Sequence, residues 1–330
     1  MRRSTADLES VGHHLQRPEC VVVARNGDCY VPDWRGGVTR IRSDGSQQTW
    51  LARDAPIAVR PNALALLPDG DFLLANLGDE GGVWRLTRDQ RLSPVVTHVE
   101  GRRLPPTNFV TIDAAGRLWI SVSTRQHPRQ LAWRPDVADG FIVLADADGP
   151  RIVADGLAYT NEVRPDPTGR WLVAVETFGR RLMRFPFAAD GSLGRRETVV
   201  TFGHGSFPDG FAFDAAGGIW VTSLISNRLL RVGPTGDVET LLEDSASDFT
   251  RNAEEAFAVS RMTTTHLGPI PGTRLQQLTS VAFGGPDGCL VHLGSLHAPC
   301  VYRFRSAPDG GWLPDTRAHS PAAASRRDSA

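Results

Sequence analysis

Short apolar runs recur along the chain, each introduced by a polar residue and broken by a tight turn. From Asn62 the sequence reads NALALLPDGDFLLAN, and from Asn108 it reads NFVTIDAAGRLWISV. From Asn161 it reads NEVRPDPTGRWLVAV, and from Asp209 DGFAFDAAGGIWVTS. Looser copies begin at Glu19 (ECVVVARNGDCYVPD) and near Thr279 (TSVAFGGPDGCLVHL). Runs of roughly four to eight apolar residues bounded by Gly, Pro and Asp predict strands, two in each copy. A third strand and a fourth follow, led by segments such as GGVTRIRSDG, GGVWRLTRDQ, RRLMRFPFAADG, NRLLRVGPTG and PCVYRFRS. Asp44-Gly45, Asp69-Gly70, Asp190-Gly191 and Asp287-Gly288 supply the positive φ that tight turns require.

Most copies are spaced by roughly 45 to 50 residues, the length of a four-stranded propeller blade. The predicted fold is all-β: one six-bladed β-propeller with four-stranded blades. A β-sandwich would not give six regular copies. The domain reading is a polar N-terminal extension over 1–16, the propeller over 17–306, and a C-terminal tail over 307–330 that is largely flexible. The two ends of the chain are expected to meet where the ring closes. Two stretches break the period, 123–140 (STRQHPRQLAWRPDVADG) and 243–277. Within the second, Ser247–Ser260 has the composition of a short helix. Long insertions in a compact domain are commonly lids or binding loops, and otherwise solvated decoration.

Charge and composition narrow the chemistry. The 330 residues carry 36 basic and 37 acidic side chains, so no basic face is expected for nucleic acid or a membrane surface. Every basic residue is arginine; lysine is absent. P-loop, kinase and Schiff-base chemistry, all of which need a lysine, are thereby excluded. Cys20, Cys29, Cys289 and Cys300 form no CxxC pair, so a thiolate zinc site is not expected and a reduced, cytoplasmic protein is. Residues 1–18 lack the apolar core of a signal peptide, and no apolar run is long enough to span a membrane. The expected partner is a small-molecule substrate, and the expected state a monomer or homodimer.

In a propeller, equivalent positions gather around one axis. The leading residues Glu19, Asn62, Asn108, Asn161, Asp209 and Thr279 would then ring one end of the channel. Two carboxylates with amide oxygens suit a hard divalent cation, Ca²⁺ before Zn²⁺, Mn²⁺ or Mg²⁺. Each Asn or Asp here is equally able to be a turn residue bonding its own backbone. Glu19, in RPECV, has no such turn role.

These segments resemble the gluconolactonase/regucalcin family of metal-dependent lactonases. The resemblance runs from about Arg17 to Arg305 and rests on PECVVV…YVPDWRGGV, RPNALAL, TNFVTIDAAGRLWIS, LAYTNEVRPDPTGRWLVAVET and FPDGFAFDAAGGIWVTS together. It implies a six-bladed propeller with one divalent metal held by Glu19, Asn161 and Asp209. Asp209 doubles as the general base, with Asn108 close by and Asn62 beside the site. Two departures stand out. An arginine that related lactonases place two residues before the third-blade Asn is Pro106 here. The Glu that helps bind a sugar lactone has no match in STRQHPRQ. The metal site carries over; sugar-lactone specificity does not.

The chemistry expected is lactone opening: a metal-polarised carbonyl, attacked by water that Asp209 deprotonates. Asn62, Asn108, Arg125 and His127 are the candidate substrate-binding residues. His127, His204, Arg125 and Tyr159 are candidates to assist the leaving oxygen. No GxSxG elbow is present, which disfavours serine acyl chemistry. The same ring also suits a phosphotriesterase-like hydrolase, a biosynthetic enzyme or a non-catalytic metal-binding propeller, because a fold does not fix a reaction.

Overall fold

The computed structural model describes residues 3–306. They form six four-stranded antiparallel sheets and one small hairpin, His98–Val99 with Arg102–Arg103. Blade 1 consists of Val22–Val23, Cys29–Asp33, Gly37–Ile41 and Gln47–Leu51. The innermost strands of blades 2 to 6 are Pro61–Leu66, Phe109–Ile112, Thr160–Pro165, Pro208–Phe213 and Leu278–Gly284. Each packs beside the next, and that of blade 6 meets that of blade 1. The molecule is thus a six-bladed β-propeller, as the repeats predict.

The hairpin turns follow the sequence signals. Gly45, Gly70, Gly191 and Gly288 all have positive φ, between 70° and 89°. The aspartate ending an inner strand does a second job. Asp113 accepts from the backbone N–H groups of Ala115 and Arg117 through Oδ1, and from Trp119 Nε1 through Oδ2. Asp214 repeats the pattern with Ala216, Gly218 and Trp220. A single carboxylate therefore folds the turn and anchors the tryptophan of the next strand, which is why DAAGRLW and DAAGGIW look alike.

Ring closure draws on the segment read from sequence as a polar extension. Glu9–Val11 pairs antiparallel with Val301–Arg305 and forms the outer strand of blade 6. Leu8 is buried beside Trp220, Tyr302 and Phe304. Arg274 donates to the carbonyls of Thr5 and Leu8, at 2.6 and 2.8 Å. The segment is polar because an outer strand buries little, so its hydropathy alone did not mark it as part of the ring. The tail expected over 307–330 lies outside the described residues.

The two insertions become one cap. The first contains a 3-10 turn, Arg129–Ala132; the second contains a helix, Ser247–Ala258, close to the predicted span. The helix buries Thr250, Ala253 and Phe257, an i, i+3, i+7 stripe. With Trp133 and Met262, Ala253 and Phe257 join Tyr159, Phe178, Phe207 and Leu224 in one apolar cluster over blades 4 and 5.

Deleting residues 1–12 should leave Val301–Arg305 as an open sheet edge and re-expose core around Leu8. The expected cost is about 2–5 kcal/mol, read as a lowered melting temperature and a tendency to associate. An unchanged melting temperature and a monomeric profile would show that blade 6 does not need its fourth strand.

Candidate active site at one end of the channel

The polar leading residues are brought together by local irregularity. In blades 2, 4, 5 and 6 the pairing of the first two strands shifts register across the leading residue. The shifts lie between Pro61 and Ala63, Thr160 and Val163, Pro208 and Phe211, and Leu278 and Ser280. A bulge re-aims a side chain that regular pleating would send to a blade face. Asn62, Asn161, Asp209 and Thr279 sit in these bulges. All six leading residues are buried.

Their contacts define the ring. Arg17 donates through Nε and Nη2 to Glu19 Oε2, at 2.8 and 2.6 Å, and through Nη2 to Asn62 Oδ1 at 3.3 Å. Asn62 Nδ2 donates to the Asn108 carbonyl at 3.1 Å. Asn161 Nδ2 donates to Thr177 Oγ1 at 3.2 Å, which turns its amide oxygen the other way. Thr279 Oγ1 donates to the Glu19 carbonyl at 2.6 Å, so the sixth blade fixes backbone rather than offering a donor to the channel. Asn108 Oδ1 is fully buried and has no hydrogen-bond partner.

Glu162, which sequence reasoning missed, lies in the same bulge as Asn161. Its Oε2 accepts from Arg164 at 3.0 and 2.8 Å and from the Phe211 N–H at 3.2 Å. Gly210 makes room for it: a Cβ there would meet the Thr279 carbonyl at 2.3 Å and Glu162 Oε1 at 2.7 Å. Arg164 reaches further down the channel and lies 4.8 Å from the Phe109 ring centroid. Beyond it, at the opposite ends of the inner strands, is a pocket of about 240 Å³ lined by Leu64, Leu66, Phe109, Ile112 and Arg164. That pocket is mostly apolar, and none of the six leading residues lines it.

Burial and neighbouring charge perturb two of the channel's carboxylates, Asp209 and Glu162. Burial pushes Asp209 well above the usual carboxyl range; Glu19 and Glu162 push it further, and Arg17 and Arg129 oppose them. Glu162 is also raised, chiefly by burial, against the pull of Arg164. Cys20, next to Glu19, is no nucleophile, since burial drives its thiol up to about 12.

Other sequence candidates sit elsewhere. Arg125 forms a two-pronged ion pair with Asp155, at 2.7 and 2.8 Å, and lies 4.3 Å from the Phe141 centroid. His127 and His204 are exposed. Tyr159 is buried under the cap, where its hydroxyl accepts from Trp133 Nε1 at 2.8 Å. The insertion arginine whose field reaches Asp209 is Arg129. His297, also unforeseen, feels both Arg17 and Glu19; its Nε2 lies 2.7 Å from the Leu267 carbonyl, and burial lowers its pKa.

The donor set fits a hard divalent cation. Glu19 and Asp209 supply two negative charges, Asn161 and Asn108 supply amide oxygens, and the Asn108 oxygen is buried without a partner. Among the described residues no group of three or more His, Cys, Asp or Glu side chains is placed to hold a metal. Amide oxygens lie outside that donor class, and a site built on two carboxylates depends on them.

The fold and this ring define a six-bladed propeller with a ring of buried polar residues at one end of its channel. Residues 17–251 match the SMP-30/gluconolactonase/LRE-like region, and the chain belongs to that family. Over 185 residues it is 31% identical to a 6-deoxy-6-sulfogluconolactonase of Pseudomonas putida, an alignment that takes in 53% of this chain and 55% of that one. The chain thus spans about half the length of that relative. Among solved structures, a gluconolactonase from Xanthomonas campestris superposes with a TM-score of 0.67 at 17% identity, covering 90% of this chain and 89% of that one. The calcium-binding protein regucalcin from Agrobacterium tumefaciens gives 0.61 at 18%, covering 89% and 93%. At those identities the likeness is one of fold.

The cap has a direct test. Phe257 lies 5.3 Å from Phe207 and 5.8 Å from Phe178, centroid to centroid. Phe257→Ala should cost about 3 kcal/mol locally and speed amide exchange over Ser247–Ala258 about 100-fold, leaving the blade strands protected. Uniform acceleration across all blades would mean that the cap is part of the global folding unit.

Proposed function

We propose that the chain is a metal-dependent lactonase that opens a small lactone at the ring of Glu19, Asn108, Asn161 and Asp209. The observation that carries this reading is the convergence of two buried carboxylates with a partnerless buried amide oxygen at one end of the channel. Membership of the gluconolactonase family and the named activities of the relatives support it.

Glu19, Asn161 and Asp209 would hold the cation, Ca²⁺ by the hardness of its donors, with Asn108 facing the substrate. A cation bound there would polarise the lactone carbonyl and stabilise charge developing on its oxygen. The remaining steps fall to the chain. Asp209 takes a proton from the water that attacks the carbonyl carbon. The ring C–O bond breaks, and the departing alkoxide collects a proton to give the hydroxy acid. Bound to the cation, Asp209 would lose some of the basicity that burial and the neighbouring Glu19 and Glu162 give it in the metal-free ring, so its role as base rests on its place beside the attacking water. Asn62 keeps Asn108 in place through its backbone carbonyl and so supports the ring. The apolar cap walls one side of the mouth and limits access of bulk water. No helix among the described residues is long and apolar enough to cross a membrane.

Proton release from a panel of aldono- and aliphatic lactones, with added Ca²⁺ or with chelator, tests the proposal. Turnover should vanish with chelator, return with the ion, and fall at least about 100-fold in Asp209→Ala that melts cooperatively. Undiminished turnover in folded Asp209→Ala would contradict it. Hydrolysis of activated phosphotriesters without lactone turnover would place a different reaction on the same ring.

A further inference from the structure

A count of charge around the ring leaves a surplus. Glu162 is cancelled by Arg164 through two hydrogen bonds. On the reading above, the charges of Glu19 and Asp209 are balanced by a divalent cation. Arg17, still paired with Glu19, and Arg129, which has no ion pair among the described residues, then add positive charge in excess of the carboxylates.

Arg129 is the more telling of the two. It opens the 3-10 turn Arg129–Ala132 of the first insertion, and Trp133, hydrogen-bonded to Tyr159, pins that turn onto blade 4. Its guanidinium lies 5.2 Å from the Tyr159 ring centroid and makes one long hydrogen bond, Nη2 to Ser123 Oγ at 3.5 Å. It is half-buried, and among the described residues it forms no ion pair. Its insertion neighbours differ: Arg125 is paired with Asp155 and Arg134 with Asp136. A guanidinium has five N–H donors, and leaving most of them unused in a partly desolvated position is costly unless a ligand arrives. Contact with the Tyr159 ring holds the group at the edge of the cap, and its unused N–H donors suit a two-pronged grip on an oxyanion.

We infer that Arg129, with Arg17 across the mouth, forms an anion subsite that takes a lactone bearing a carboxylate, sulfonate or phosphate substituent. Arg17 also lies 4.6 Å from the Trp34 ring centroid, and Arg60 lies 5.7 Å from the same ring, which extends the positive rim along blades 1 and 2. The inference rests on the lactonase reading and adds its substrate class. It assigns a role in substrate choice to the first insertion, which carries Arg129.

The test compares D-glucaro-1,4-lactone, which carries a free carboxylate, with neutral D-glucono-1,4-lactone. The wild type should show the higher kcat/KM on the anionic lactone. Arg129→Gln should lower the anionic-to-neutral ratio about tenfold or more, mainly through KM, and Arg129→Lys should restore part of it. A ratio unchanged by Arg129→Gln would overturn the inference, even with both rates reduced. If the wild type hydrolyses neither lactone, the lactonase reading has failed and the anion subsite is tested alone. Calorimetric titration should then find D-glucarate bound more tightly than D-gluconate, with the preference lost in Arg129→Gln. No preference in the wild type would overturn the subsite.

Discussion

Everything at the centre of this propeller follows from the burial of Glu19 and Asp209 in one ring. Two carboxylates removed from water repel one another and lose their hydration, a combination that a fold tolerates only if something compensates. Arg17 compensates for Glu19 alone. Asp209 is left with a raised pKa and only the more distant fields of Arg17 and Arg129 to help it. A site arranged in this way invites a cation, whose charge would offset both carboxylates.

The blades and the insertions divide the work. Blade geometry is repetitive, and its bulges set the polar ring on the axis from residues far apart in sequence. A ring built by repetition is close to symmetric, and a lactone is not. The asymmetry comes from the two insertions, which merge into an apolar cap over blades 4 and 5 and bring Arg129 to its edge. Arg180 locks that cap, paired with Glu254 of the helix and lying 4.2 Å from the Phe207 centroid. The substrate would thus meet an apolar wall on one side and a cationic rim on the other.

Much of this was legible before any coordinates. The polar-apolar-turn-apolar copies predicted the six blades, and the residues opening each copy are the ones the structure gathers. What escaped was set by tertiary contact. Glu162 follows Asn161 directly, and strict alternation would have turned it away from the channel; the bulge keeps both near the axis. Arg129 and Arg125 look equivalent in STRQHPRQ; the placement of Asp155 pairs Arg125, while Arg129 forms no ion pair among the described residues. Glu9–Val11 has too little hydropathy contrast to read as a strand, and its partner lies almost the whole chain away.

The most direct measurement is a crystal structure grown with Mn²⁺ as an anomalous stand-in for the native cation. One strong peak is expected at the channel mouth, within about 2.0–2.6 Å of carboxylate oxygens from Glu19 and Asp209 and the amide oxygen of Asn161. Asn108 should face the same peak, and Arg17 should keep its hold on Glu19 from behind. An ordered ring with no peak there, in crystals soaked well above any physiological concentration, would contradict the account.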